Sequence, residues 1–173
     1  MLGGYVSLKH TFANGEHRRR FRDLIVDTMN RLARTHGRGA AASYPTAVGW
    51  EEYAQSDDRE LAELDEALFE FANLVAGLAA VAGAVVMTDR GELLGFGGEI
   101  SGELEPDLSV EKALDAEGET TMAESAESVG TRHSSSYRLA AEVQGALVAV
   151  VSQDANVRFV AGMDGAVTCW DQA

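Results

Sequence analysis

Gly130-Thr131-Arg132-His133-Ser134 places a glycine, two hydroxyls, a guanidinium and an imidazole within five residues. The run opens a predicted helix, whose first turn offers unpaired N–H groups and the positive end of the helix dipole. Glycine lets a ligand approach the backbone, and the hydroxyls and N–H groups donate to an anion. Arg132 suits bidentate phosphate contact, and His133 adds a donor beside it. The chemistry indicated is phosphate binding. A serine-capped helix with Arg132 in water explains the same residues, and both readings stand on this motif alone.

The flanking pattern supplies the elements that would hold this turn. Residues 137–143 continue as a short helix and Gly145 marks its end. Residues 146–154 form an apolar strand, expected to be buried on both faces, with Ser152 and Gln153 at its polar end. Upstream, residues 84–88 and 92–96 read as a β-hairpin turned at Asp89-Arg90-Gly91. Gly95, Gly97 and Gly98 would let a base or ribose lie against the return strand; a bulge or bend explains them equally. Asp164-Gly165 between residues 158–161 and 167–170 is a second hairpin signal.

An Ala-Gly-Ala strand, a glycine-rich return strand and then Gly-Thr-Arg-His opening a helix together resemble the diadenylate cyclase domain. That domain is best known from DNA-integrity scanning proteins that make cyclic di-AMP. The resemblance spans roughly residues 58–173 and rests on the order of the motifs. Within that superfamily, Leu94-Gly95-Phe96-Gly97-Gly98-Glu99-Ile100, Val151-Ser152-Gln153-Asp154, and Asp164-Gly165-Ala166-Val167 with Trp170 are most similar to the DACNV group. Members of that group are regarded as nucleotide-sensor versions of the cyclase.

The resemblance implies an α/β fold with a central mixed sheet flanked by helices. It also implies a ligand site drawn from Gly83, Ala84, Gly95, Gly97, Gly130, Thr131, Arg132, His133, Ser134, Ser152 and Gln153. Active cyclases carry Asp-Gly-Ala on the first strand, where the aspartate binds the catalytic metal. This chain has Ala82-Gly83-Ala84, and alanine has no oxygen for a hard cation. The family's Arg-His-Arg reads Arg132-His133-Ser134, one cation short. Phosphoryl transfer depends on positioning and charge neutralisation, so the expectation leans towards a binder with no catalytic residue, metal or cofactor. Asp164-Gly165-Ala166 spells the catalytic triplet but follows the Arg-His turn in chain order, and reads as a hairpin turn.

The 173 residues carry a net charge of −14 and are 46% hydrophobic, with two prolines, values of a folded domain with a sizeable core. No apolar run reaches the about 18 residues that span a bilayer, and the first residues lack a secretory pattern. Cys169 is the only cysteine, excluding an internal disulfide, and one cysteine with four scattered histidines excludes paired zinc spacing. Cys169 reads as a small buried residue rather than a nucleophile. A cytoplasmic, non-membrane protein is expected. Residues 1–40 hold eight Lys or Arg against Glu16, Asp23 and Asp27, a net of +5, so the remainder carries −19. An acidic body of that kind disfavours nucleic-acid backbones.

The organisation expected is an N-terminal helical extension over residues 1–57 and a nucleotide-binding domain over 58–173. A helix over 16–35 carries Phe21, Leu24, Ile25, Met29 and Leu32 at helical spacing, to dock with its arginines solvated or ion-paired. Trp50, in a short element over 47–53, is expected in a core. Asp57-Asp58 caps a long helix from Arg59 to about residue 80. Residues 103–127 are strongly acidic and read as a solvated loop, with a helical turn over 110–114.

Three functions follow. The leading expectation is a catalytically inactive signalling sensor for a nucleotide or cyclic dinucleotide, with residues 1–57 as an output or dimer surface. An active cyclase would need a substitute metal ligand such as Asp89 or Asp154. A ligand-free scaffold would pair Arg132 with a carboxylate.

Overall fold

The computed structural model describes residues 4–36, 49–81, 83–101, 108–125, 130–152, 156–163 and 165–172. The architecture is mixed α/β with a helical N-terminal region. It divides into two compact units, Leu8–Glu99 and Met1–Ser7 with Ile100–Ala173.

In the unit Leu8–Glu99, helix α1 (Gly15–His36) starts where the Asn14 side chain accepts from Glu16 N at 2.8 Å. Helix α3 (Arg59–Ala80) starts where Asp58 accepts from the N–H groups of Glu60 and Leu61, as its sequence predicts. The two helices run in opposite directions. Phe21 stacks on Phe71 with centroids 5.1 Å apart, and Arg31 meets Asp58 at 2.6 Å and Glu60 at 2.7 Å. Arg20 reaches Glu70, and Arg18 and Arg22 reach Glu92. Four of the six arginines of α1 thus form ion pairs beside an apolar seam. Leu32, Leu61 and Phe71 are buried along that seam, while Met29 is exposed.

The short helix α2 (Trp50–Ala54) corrects one expectation. Trp50 is 75% exposed rather than set in a core. It heads a single turn, its ring tilted against that of Tyr53, which hydrogen-bonds Asp65.

The predicted hairpin forms from β2 (Ala84–Met87) and β3 (Leu93–Ile100). Its turn closes through Gly91 N to Thr88 O at 3.0 Å, with Gly91 at φ +73°. A further strand, β1 (Val6–Thr11), pairs with β3 and completes a three-stranded sheet of order β1-β3-β2. The sequence reading did not contain β1.

The second unit carries a five-stranded mixed sheet, built from β4 (Val110–Ala113), β5 (Thr121–Glu124), β6 (Leu147–Val151), β7 (Val157–Met163) and β8 (Ala166–Asp171). Its order is β5-β4-β8-β7-β6; β4 is parallel to β8 and the other pairs are antiparallel. Helix α4 (Thr131–Glu142) packs on one face. Its Tyr137 and Ala140 meet Val110, Val150, Val160, Val167 and Cys169 in the core. The approach is close at Gly162, where a Cβ would stand 2.5 Å from Ala140 O.

Two expectations are corrected in this sheet. Where a helical turn is expected over 110–114, residues 110–113 form a strand, and with β5 they build a hairpin inside the supposed loop. Asp115 holds that hairpin's connection by accepting from Glu119 N and Thr120 N. The strand β6 is not buried on both faces: Leu147 is 69% and Val151 56% exposed. It ends the sheet order, and α4 covers only one of its faces. The β7–β8 hairpin forms as expected, with Gly165 at φ +86°.

Candidate functional site

The first turn of α4 is the chemically distinctive end of the second unit. Gly130 is the N-cap residue in extended conformation (φ −66°, ψ +164°), with no side-chain cap bond, and no acidic residue lies in the first turn. Ser134 N donates to Gly130 O, and Ser136 Oγ donates to His133 O at 2.7 Å. Thr131 and Arg132 are exposed and His133 is half-buried, its ring 6.4 Å from that of Tyr137.

Arg132 Nη1 lies 3.5 Å from Val151 O, which places the guanidinium at the end of β6. The next residue, Ser152, organises the β6–β7 connection. Its N–H donates to Asn156 O at 2.9 Å and its hydroxyl accepts from Asn156 N at 3.2 Å. The structure therefore gathers Gly130, Thr131, Arg132, His133, Ser134 and Ser152 around one helix start and one strand end. Gln153 lies outside the described residues, as do Ala82, Asp154 and Asp164.

Gly83, Ala84, Gly95 and Gly97 belong to the other unit, on or beside β2 and β3. Their surroundings are protein. A Cβ on Gly95 would stand 2.2 Å from His10 O, so the space expected to admit a base or ribose is taken by β1. Gly97, at φ +66°, lies against Lys9, and Gly83, at φ +98°, lies against Gly98. Ala84 pairs with Gly98 in the β2–β3 ladder.

Sequence reasoning missed a polar cluster beneath α4. Arg158 on β7 donates to Asp171 Oδ1, Glu124 Oε1 and the Tyr137 hydroxyl, each at 2.6 Å. Lys112 Nζ meets the other Asp171 oxygen at 2.7 Å, and Cys169 Sγ donates to Glu124 Oε2 at 3.2 Å. Burial opposes charge on Arg158, yet its three acceptors outweigh that and hold it protonated. Burial pushes Asp171 up, but Arg158 and Lys112 outweigh it and leave the carboxyl below its ordinary value. Burial, then the bond to Glu124, pushes the Cys169 thiol up to about 12, so it is no nucleophile at neutral pH. The available signal was Arg158 inside an apolar strand, since a shielded arginine needs partners.

Among the described residues no group of three or more His, Cys, Asp or Glu could hold a metal ion. No helix there is long and apolar enough to cross a membrane. An open hollow of about 440 Å³ lies in the other unit, lined by Phe21, Arg22, Ile25, Val26, Asp89, Arg90 and Gly91.

Comparison with known families, curated proteins and solved structures gives no match for this chain.

Proposed function

We propose that the second unit binds a phosphate-bearing ligand at the start of α4 and acts as a nucleotide or cyclic-dinucleotide sensor rather than as a cyclase. The observation carrying this reading is Arg132. Its guanidinium stands exposed beside a helix start without a side-chain cap, in a chain of net charge −14. A scaffold would be expected to pair Arg132 with a carboxylate; its contact among the described residues is a carbonyl. Phosphate would gain the guanidinium, the helix N–H groups and the Thr131 hydroxyl together. The motif order that resembles the cyclase superfamily supplies the ligand class, and Ala82 in place of the metal-binding aspartate argues against turnover.

The test is calorimetric titration of the full chain with ATP and with cyclic di-AMP, with and without magnesium. Arg132→Ala should weaken saturable binding by about 10- to 100-fold, the loss of a charge-assisted hydrogen bond. Product formed on prolonged incubation would restore the cyclase reading. Silence with both nucleotides would leave the scaffold.

A further inference from the structure

The strand β6 is the outer strand of its sheet, and its own five residues carry none of the usual guards. Its sequence, Leu147-Val148-Ala149-Val150-Val151, contains no charge, proline or glycine, and its ladder with β7 runs without a bulge. Exposed edges of soluble proteins are normally blunted by such devices, because unpaired N–H and C=O groups template further pairing. Among the described residues nothing pairs with this edge.

The phase of the edge follows from two contacts. Ser152 N donates to Asn156 O, so Ser152, Val150 and Val148 direct their main-chain groups towards β7. Leu147, Ala149 and Val151 must then direct theirs outwards. Arg132 confirms the phase from the other side, since it reaches the Val151 carbonyl that β7 leaves untaken. The side chains of these same residues lie on the face opposite α4. There Leu147 and Val151 are exposed, and Phe159, facing Ala149 across the ladder, is 39% exposed.

We infer that β6 pairs antiparallel with β6 of a second copy of this chain, about a two-fold axis at Ala149, and joins the two five-stranded sheets. The segment is self-complementary under that operation. Ala149 meets Ala149 at the axis, and Leu147 meets Val151 on each side. Val148 meets Val150 on the face that α4 covers, which extends the core across the join. All three outward-facing residues fall in hydrogen-bonded pairs, giving about six main-chain bonds, with Arg132 sharing or ceding the Val151 carbonyl. Charge agrees with the same axis. Helix α4 runs antiparallel to β6, with Arg132 beside Val151 and Glu142 at the end nearer Leu147. The two-fold therefore sets the cationic start of each α4 against the acidic, carbonyl-bearing end of the other.

The test uses the full chain. Sedimentation should show a dimer that becomes a monomer in Leu147→Lys and in Val151→Lys, both exposed positions, with unchanged circular dichroism and thermal midpoint. Independently of stability, Ala149→Cys should oxidise to a disulfide-linked dimer, because a hydrogen-bonded antiparallel pair sets the Cα atoms about 5.5 Å apart, within disulfide reach. Cys169 is buried and does not compete, and Phe69→Cys, exposed in the other unit, is the control that should not cross-link. A monomeric wild type, a dimer that survives both lysines, or cross-linking of Ala149→Cys no faster than that of the control overturns the proposal.

Discussion

Arg158 and Tyr137 meet at 2.6 Å, guanidinium to phenol, where α4 crosses β7. Tyr137 is fully buried and lies on the same helix as Arg132, about one and a half turns further on. The contact ties the helix carrying the candidate phosphate site to the strands carrying Glu124 and Asp171. A polar anchor of this kind fixes where the helix start points, while the apolar core supplies most of the adhesion.

Removing that anchor should cost stability unequally. Tyr137→Phe keeps the packing and loses one hydrogen bond to a charged group, a loss of about 1–2 kcal/mol. Arg158→Met leaves Glu124 with only the Cys169 thiol and Asp171 with only Lys112, both carboxylates remaining partly shielded. Breaking a fully buried pair costs about 3–5 kcal/mol, and partial exposure here reduces that to about 2–3 kcal/mol. Urea unfolding of both variants measures the order. Equal costs, or a larger cost for Tyr137→Phe, would refute it.

Two glycine substitutions separate closely packed backbone from open backbone. Gly95→Ala drives a Cβ to 2.2 Å from His10 O and should detach β1 or unfold the unit, at a cost above about 2 kcal/mol. Gly130→Ala meets open space, and as an N-cap change it should cost no more than about 1 kcal/mol. Thermal melts of the two variants provide the comparison. A Gly95→Ala protein as stable as the parent would contradict the β1–β3 pairing.

Local signals carried the parts of this fold that were legible. The Asp58 cap and the apolar spacing of α3, the Asp89-Arg90-Gly91 turn and the Asp164-Gly165 hairpin are each contained in a few consecutive residues. Two of the strands missed, β1 and β4, are held by distant partners. Three of the four residues of β4 pair with β8, some 57 positions further along, and neither β4 nor β5 shows the two-residue alternation that marks a strand. The candidate site divides in the same way. Arg132 and Thr131 sit on one helix turn and could be read directly, whereas Arg158 meets Glu124 only through non-local strand pairing. Glycine alone was ambiguous, and Gly95 faces its own chain.

Acid should weaken the α1–α3 seam through Asp58. Its hydrogen bond from Arg31 outweighs the burial penalty and, with the Leu61 N–H, lowers its carboxyl to about 2. The folded state therefore releases this proton more readily than the unfolded chain, whose aspartates titrate near about 3.9. The stabilisation is fully present above the unfolded value and is lost as pH falls from about 4 towards 2. Asn keeps a cap at this position but not the ion pair. Asp58→Asn should thus melt below the wild type at pH 6, with the gap closing towards pH 2. A gap that stays constant across that range would show that the ion pair is not its source.

The Cys169 thiol should be silent in the native protein and reactive once the sheet opens. It is fully buried, donates to Glu124 and titrates at about 12, so at pH 8 roughly one molecule in ten thousand is thiolate. A chromogenic disulfide reagent should find no thiol in native protein over minutes and one per chain in denaturant. In native buffer the slow residual rate should follow opening of β8, and so rise with urea as the unfolded fraction does. Tyr137→Phe and Arg158→Met should raise the logarithm of that rate in proportion to their loss of stability, because both loosen the cluster that closes over the thiol. Rapid stoichiometric labelling of the wild type would mean that Cys169 faces solvent and that α4 does not seal this face of the sheet.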